Sequence, residues 1–243
     1  MQWRDEGVII GVKRHGETSV IVELMTRDHG RHLGLVRGGR SRRLQGVLQP
    51  ANSVEATWRA RLDEHLGTYT VEGTVLRAAE VMTSACALDG INLIAALLRL
   101  LPERDPHTAL YEALAVIVEQ LTDVGVAPAL MVRFELGILG ELGFGLDLTR
   151  CAATGSSADL VFVSPKSGRA VSRAAGGAYR ERLLALPPFL GNGSQRNPSA
   201  TDIVAGFALT SHFLLRDVFE PRGLAMPSVR AAYIARMVKT ASA

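Results

Sequence analysis

Gly7-Val-Ile-Ile-Gly-Val-Lys13, Thr18-Ser-Val-Ile-Val-Glu-Leu-Met25 and Arg31-His-Leu-Gly-Leu-Val-Arg37 decide the fold. The first two are rich in β-branched residues. The third alternates polar and apolar side chains in the manner of a half-buried strand. His15-Gly16-Glu17 and Asp28-His29-Gly30 punctuate them as turns. After Gly38-Gly39 breaks the pattern, Ser53-Val-Glu-Ala-Thr-Trp-Arg59 alternates again, and Gly67-Thr-Tyr-Thr-Val-Glu-Gly-Thr-Val75 completes the set. Five short strands in one stretch predict a small closed barrel. The oligonucleotide-binding (OB) barrel has that count, and an SH3-like barrel fits the periodicity nearly as well.

Beyond residue 80 the period lengthens. Cys86 to Leu101 has a helical apolar pattern stopped by Pro102, and Thr108 to Val124 predicts a second helix ending at Gly125. Pro128 to Leu142 predicts a third, with proline near its first turn and Gly143 after its end. Leu160–Val163 and Arg169–Ser172 form a hairpin around Pro165-Lys166-Ser167-Gly168, and Tyr179 to Leu186 reads as helix up to Pro187-Pro188. Residues 191–198 read as polar loop. Ser199 or Thr201 caps a last long helix through Phe219, ended by Pro221-Arg-Gly223, and Ser228 to Lys239 adds a basic amphipathic helix. The expected fold class is α+β, with an OB-type domain over 1–80 and a mainly helical domain over 81–243.

In a chain of 243 residues, an apolar content of 47% suffices for a full core and argues against disorder. No apolar run approaches the roughly 20 residues a membrane span needs, and the start lacks the order of a signal peptide. A cytoplasmic protein is expected, with Cys86 and Cys151 as free thiols. The net charge of +3 says less than its distribution. Arg27, Arg31, Arg37, Arg40, Arg42 and Arg43 lie in one stretch against the single acid Asp28. Arginine forks onto phosphate and stacks on bases better than lysine does.

Catalytic signatures are missing. There is no Walker loop, no dinucleotide fingerprint and no Gly-x-Ser-x-Gly elbow. The glycines between Gly137 and Gly145 belong to a helix and its end. His15, His29, His32, His65, His107 and His212 show no metal spacing. Cys151-Ala-Ala-Thr154-Gly155 resembles half of a zinc knuckle without its second cysteine, so no zinc is expected and Cys151 should be buried or half-buried. What remains is Gly38-Gly39-Arg40-Ser41-Arg42-Arg43, a flexible basic loop between two strands. Its glycines would let the backbone approach a polyanion and its arginines would neutralise phosphates. Trp3, Trp58 and Tyr69 are the only aromatics of the strand region; Trp58 suits core packing or base stacking. Binding should be dominated by phosphate and weakened by salt. The candidate DNA-binding residues are Arg14, Arg37, Arg40, Arg42 and Arg43, with Arg27, Arg31 and His32 behind them. An adaptor whose barrel binds a peptide, or an enzyme using a cysteine nucleophile, are the rival classes.

The opening Trp3-Arg4-Asp5-Glu6-Gly7-Val8-Ile9-Ile10, followed by Arg14-His15-Gly16-Glu17-Thr18-Ser19, resembles the RecO family. So do Thr26-Arg27-Asp28-His29-Gly30-Arg31-His32, Val36-Arg37-Gly38-Gly39-Arg40-Ser41, Leu48-Gln49-Pro50, Arg133-Phe134-Glu135-Leu136 and Leu139-Gly140-Glu141-Leu142-Gly143, in that order. Pro165-Lys166-Ser167-Gly168-Arg169 and Leu186-Pro187 continue the series to cover essentially the whole chain. The resemblance implies an N-terminal OB domain and a helical domain that binds partners and adds DNA contact. Many members carry a four-cysteine zinc site, but here Thr154, Ser172 and Ala175 stand beside Cys151 at what look like its positions. This leaves a degenerate zinc-knuckle-like hairpin. The implied function is binding of single- and double-stranded DNA, annealing of complementary strands without enzymatic turnover, and action with RecR. Contact with the acidic C-terminal tail of the single-strand-binding protein SSB, and help for RecA in replacing SSB, are implied too. The implied location is the cytoplasm, at the nucleoid, with no cofactor.

Overall fold

A computed structural model describes residues 1–191 and 198–241. The chain divides into two compact units, Met1–Thr122 and Asp123–Ala243.

The first unit is built on β1 (Gln2–His15), β2 (Ser19–Thr26), β3 (Gly30–Val36), β4 (Ser53–Arg59) and β5 (Thr68–Val75), with the short helix α1 (Arg42–Gln45) between β3 and β4. They close into a barrel in the order β1-β2-β3-β5-β4. β1 serves two partners. Its first half pairs with β4 from Gln2↔Arg59 to Val8↔Ser53, and its second half with β2 from Gly7↔Thr26 to His15↔Ser19. An irregularity between Ile9 and Gly11 lets one strand bend across both. β3 meets β5 only at Leu35↔Thr68, in parallel. Lower down, the slit between them is closed by the segment around Glu103 and Arg104: Arg31 bridges Glu103, Arg104 N–H donates to the Arg31 carbonyl at 2.9 Å, and the Arg104 guanidinium reaches the carbonyls of Asp63 and His65.

Ile9, Val20, Val22, Leu24, Val54, Ala56, Trp58 and Tyr69 fill the barrel. Burying an aliphatic side chain of this size is worth roughly 1.5–3 kcal/mol, so the alternation read from β4 carries real stabilisation. On β3 the buried face is His32, Gly34 and Val36, and the leucines between them are only half-buried. The Tyr69 ring explains this: a Cβ on Gly34 would lie 2.3 Å from it, so only glycine fits opposite. Helices α2 (Ala78–Val81), α3 (Ala85–Leu98) and α4 (Thr108–Glu119) complete the unit. The barrel strands thus end near the expected border at residue 80, while the compact unit runs on to Thr122.

The second unit contains α5 (Ala127–Glu141), β6 (Leu160–Val163), β7 (Ala170–Ser172), α6 (Arg173–Gly176), β8 (Leu184–Ala185), α7 (Ala200–Phe213) and α8 (Ser228–Ala241). Pro128 opens α5 and Gly143, at φ +88°, follows its end, as the sequence predicts. Ser199 caps α7 in a reciprocal capping box with Asp202. A π-helical turn, Leu214–Phe219, carries this helix to its expected end. The expected helix from Tyr179 to Leu186 is not formed. A 3-10 helix, Gly177–Arg182, gives way to β8, which pairs with β6 through Phe162↔Ala185 and Val163↔Leu184. The free edge of β6 supplies backbone partners that a helix stopping at Pro187 would leave unused. The expected loop over 191–198 lies mostly outside the described residues. No helix among the described residues is long and apolar enough to cross a membrane.

Candidate nucleic-acid interface

The basic loop leaves β3 at Gly38, where φ is +64°, a conformation glycine adopts at little cost. At Gly39 the chain turns back onto β2 so closely that a Cβ would lie 2.5 Å from a methyl of Val20. Gly39 therefore presses the loop against the barrel and is buried, while Gly38 turns in open space. Arg40 N–H donates to the Thr18 carbonyl at 3.0 Å, tying the loop to the β1–β2 turn, and the Arg40 guanidinium donates to the Glu17 carbonyl. At the far end, buried Asn52 donates to the carbonyls of Gly46 and Val47, both at 2.9 Å. Its Oδ1 accepts from the N–H groups of Arg77 and Ala78 at 2.8 and 2.9 Å. Asn52 thus uses its full amide capacity to pin the segment.

Between these pins, Arg40, Arg42 and Arg43 are exposed, as are Arg14 near the end of β1 and Arg37 just after β3. None of the five forms an ion pair with a described residue. Three hollows lie among them, and two of these hold a pair of the arginines. One, of about 320 Å³, is lined by Arg14, Arg40, Gln45 and Gln49 over Val12, Val20 and Leu48. The other, of about 340 Å³, is lined by Arg37, Arg43, Thr68 and Thr70 over Val36, Leu44 and Val71. The glutamines and threonines were not singled out in the sequence. For the threonines a signal existed: they flank inward Tyr69 on a strand and must face outward.

The other three candidates do not belong to this cluster. Arg27 pairs with Glu112 at 3.2 Å on the surface. The Arg31 side chain, only 11% exposed, donates to Glu23 at 3.0 Å, to Glu103 at 3.4 Å and to the Leu101 carbonyl at 3.3 Å. Its work is to hold the segment after α3 against the barrel. His32 is 2% exposed and lies inside the barrel wall, its Nδ1 2.9 Å from the Tyr69 hydroxyl, its ring against Trp3 and Trp58. Burial first, and then the nearby Arg104 charge, lower its pKa to about 4, so it is neutral at pH 7. It cannot meet phosphate. Trp58, fully buried, donates its indole N–H to the Leu66 carbonyl at 3.0 Å, which settles it as core.

The strand 2–3 face through which OB barrels commonly take nucleic acid is partly occupied here. Glu23 on β2 accepts from Arg99, at the end of α3, at 2.6 and 3.0 Å, and from Arg31. Exposed arginines without a carboxylate partner gather instead at the β1–β2 turn and the loop after β3.

In the second unit, two of the cations near its end are committed to structure. Arg230 is buried against Glu135. Arg216 donates to Asp217 and to the carbonyl of Pro165 and stacks over Phe213. Cys151 is fully buried, its Sγ 3.5 Å from Ser172 Oγ and accepting the Ser172 N–H at 3.3 Å. The hydroxyls of Ser172 and Thr154 bonded to it draw its pKa down to about 6. Ala175 contributes only a backbone N–H, to Ser172 Oγ at 3.4 Å. One sulfur, two hydroxyls and a methyl do not fit structural zinc, which takes four ligands of the Cys or His type.

Comparison with known proteins bears on this arrangement. The family model described as Recombination protein O N terminal matches residues 1–76, and that described as Recombination protein O C terminal matches residues 87–224. The DNA repair protein RecO of Methylocella silvestris is 61% identical over 240 residues, covering 98% of this chain and 97% of that protein. That of Methylobacterium nodulans is 60% identical over 239 residues, covering 97% of each. That of Sinorhizobium medicae is 58% identical over 239 residues, covering 98% of this chain and 96% of the relative. A barrel with an arginine-rich end, a helical unit following it in sequence, and family models and relatives matched over nearly the whole chain place this chain in the RecO family of DNA repair proteins.

Proposed function

We propose that the chain binds single- and double-stranded DNA through Arg14, Arg37, Arg40, Arg42 and Arg43 and anneals complementary strands. Acting with RecR and on the SSB tail, it would help RecA replace SSB on gapped DNA in the cytoplasm, at the nucleoid. The observation that carries this reading is the contrast within one unit. Five exposed arginines grouped at one end of the barrel, three of them on the pinned segment, lack carboxylate partners, while Arg27, Arg31, Arg77 and Arg99 are all paired; exposed Arg59 and Arg61 also lack a carboxylate partner but line neither hollow. Unpaired guanidiniums on a rigid support are what a phosphate backbone needs. The helical unit would supply partner binding and further DNA contact. Two strands repel each other, and a basic surface holding both lowers that repulsion and raises their local concentration. No bond is made or broken, so no acid, base or nucleophile is required.

The test is annealing of complementary oligonucleotides, bare and SSB-coated, without nucleotide, across a salt series. Salt-sensitive acceleration in both cases is expected. Changing Arg40, Arg42 and Arg43 together to alanine should lower the log–log salt slope of single-strand binding by about 2, at roughly 0.7 per phosphate contact. Arg27→Ala should leave it unchanged. An unaltered slope in the triple variant would remove the loop from the interface, and an absence of acceleration by the wild-type chain would leave the peptide-binding adaptor reading.

A further inference from the structure

The two hollows at the arginine-rich end lie on opposite flanks of one ridge. β1 and β2 supply one wall of the first, through Val12, Arg14 and Val20. β3 and β5 supply one wall of the second, through Val36, Arg37, Thr68 and Thr70. Barrel order sets these walls side by side, and the segment from Gly39 to Gln49 runs between them. α1 is shared: Arg43 and Leu44 face the second hollow while Gln45, the next residue, faces the first. A helix turns about 100° per residue, so neighbours on one turn necessarily serve different sides.

The hollows also match in chemistry. Each has a mainly polar lining with some apolar side chains at its base, two arginines without an ion pair and neutral hydrogen-bonding side chains: two carboxamides in the first, the hydroxyls of Thr68 and Thr70 beside Tyr69 in the second. That is the composition a single strand asks for, with phosphates on guanidinium and sugar or base on the apolar side chains. Their volumes of about 320 and 340 Å³ are alike; a third hollow, of about 370 Å³, adjoins the first through Arg40 but is lined by that one arginine and the acidic Glu17. We propose that each hollow seats one single strand, so that one barrel holds two strands at once, one on either side of the ridge. This rests on the reading that the barrel binds DNA and adds where the second strand goes. Strands held by one chain meet as an intramolecular pair, with Arg42 exposed on the ridge between them.

The experiment uses the full chain and oligothymidylate of about six nucleotides, within the span one OB barrel covers. Native mass spectrometry counts strands per chain, and energy transfer between donor- and acceptor-labelled strands reports joint occupancy. Two strands per wild-type chain are expected. The Arg14→Ala/Arg40→Ala and Arg37→Ala/Arg43→Ala variants should each hold one fewer, lose energy transfer and lose annealing while still binding a strand. All four positions are exposed, and unchanged thermal unfolding will confirm folding. One strand per wild-type chain, weakened alike by both variants, would overturn the two-track proposal and leave DNA binding by the barrel intact. Two strands persisting in both variants would place the second strand elsewhere and overturn it as well. No binding by the wild-type chain would overturn the underlying reading itself.

Discussion

The guanidinium of Arg230 on α8 and the carboxylate of Glu135 on α5 face each other inside the helical unit, joined by hydrogen bonds of 2.7 and 2.9 Å. Glu135 also accepts from the Thr210 hydroxyl at 2.5 Å, and Arg230 donates to Ser211 and to the Phe207 carbonyl. Three helices are therefore locked through one buried pair. Removing either partner strands the other charge without water, at a cost of about 3–5 kcal/mol. Glu135→Leu and Arg230→Met should each lower the urea midpoint sharply, and the double variant should recover much of the loss. Additive losses in the double variant would show that the two residues act independently.

Asn52 supports the basic loop without carrying charge. Asn52→Ala leaves two carbonyls and two N–H groups without their partner, at about 1 kcal/mol each. A loss of about 3–4 kcal/mol is expected in denaturant unfolding. Single-strand affinity should also fall, measured by anisotropy at a temperature where the variant is still folded, although no arginine has been touched.

One distance in the Cys151 cluster is close to that between two ligands of a metal site. With Zn–S bonds of about 2.3 Å, adjacent sulfurs of a tetrahedron lie about 3.8 Å apart. Cys151 Sγ and Ser172 Oγ are already 3.5 Å apart. Changing Thr154, Ser172 and Ala175 to cysteine should therefore create zinc binding, read by metal analysis, and make thermal unfolding sensitive to chelator. The unaltered chain should unfold at the same temperature with or without chelator.

His32 makes stability depend on pH in a particular direction. Its pKa is about 4 when folded against about 6.5 unfolded, so the unfolded chain takes up the proton first as pH falls. The stability is fully present above pH 6.5 and is lost between there and pH 4, amounting to about 3 kcal/mol at about 1.4 kcal/mol per unit. Urea unfolding at pH 7 and pH 4.5 should show a smaller drop for His32→Gln than for the wild type. Equal drops would assign the acid sensitivity to carboxylates.

Much of this was legible because strands, caps and punctuation are local. Ser53–Arg59 alternates strictly and folds as read, and of the two caps the sequence offered, Ser199 and Thr201, it is Ser199, three residues before Asp202, that caps. The errors arose where a distant side chain decides. The inward phase of His32 depends on the space Tyr69 and Trp58 leave, and nothing in residues 30–36 states that. Arg31 counted as positive charge until the fold supplied Glu23 and Glu103 as partners. β8 spans two residues, too short for any period, and exists because the edge of β6 accepts it. The arginine cluster itself was visible; which of its members remain unpaired was not.

The buried Gly39, the bonds of Arg40 to the Thr18 and Glu17 carbonyls, and Asn52 fix the course of the loop, while Arg37, Arg42 and Arg43 stand exposed outside these pins. Path and charge are therefore written by different residues, with Arg40 alone serving both. A lineage living at high internal salt can retune its grip on nucleic acid by exchanging the other arginines along this loop, one by one, without reopening the folding problem. An engineer who wants a weaker or stronger annealing protein has the same freedom.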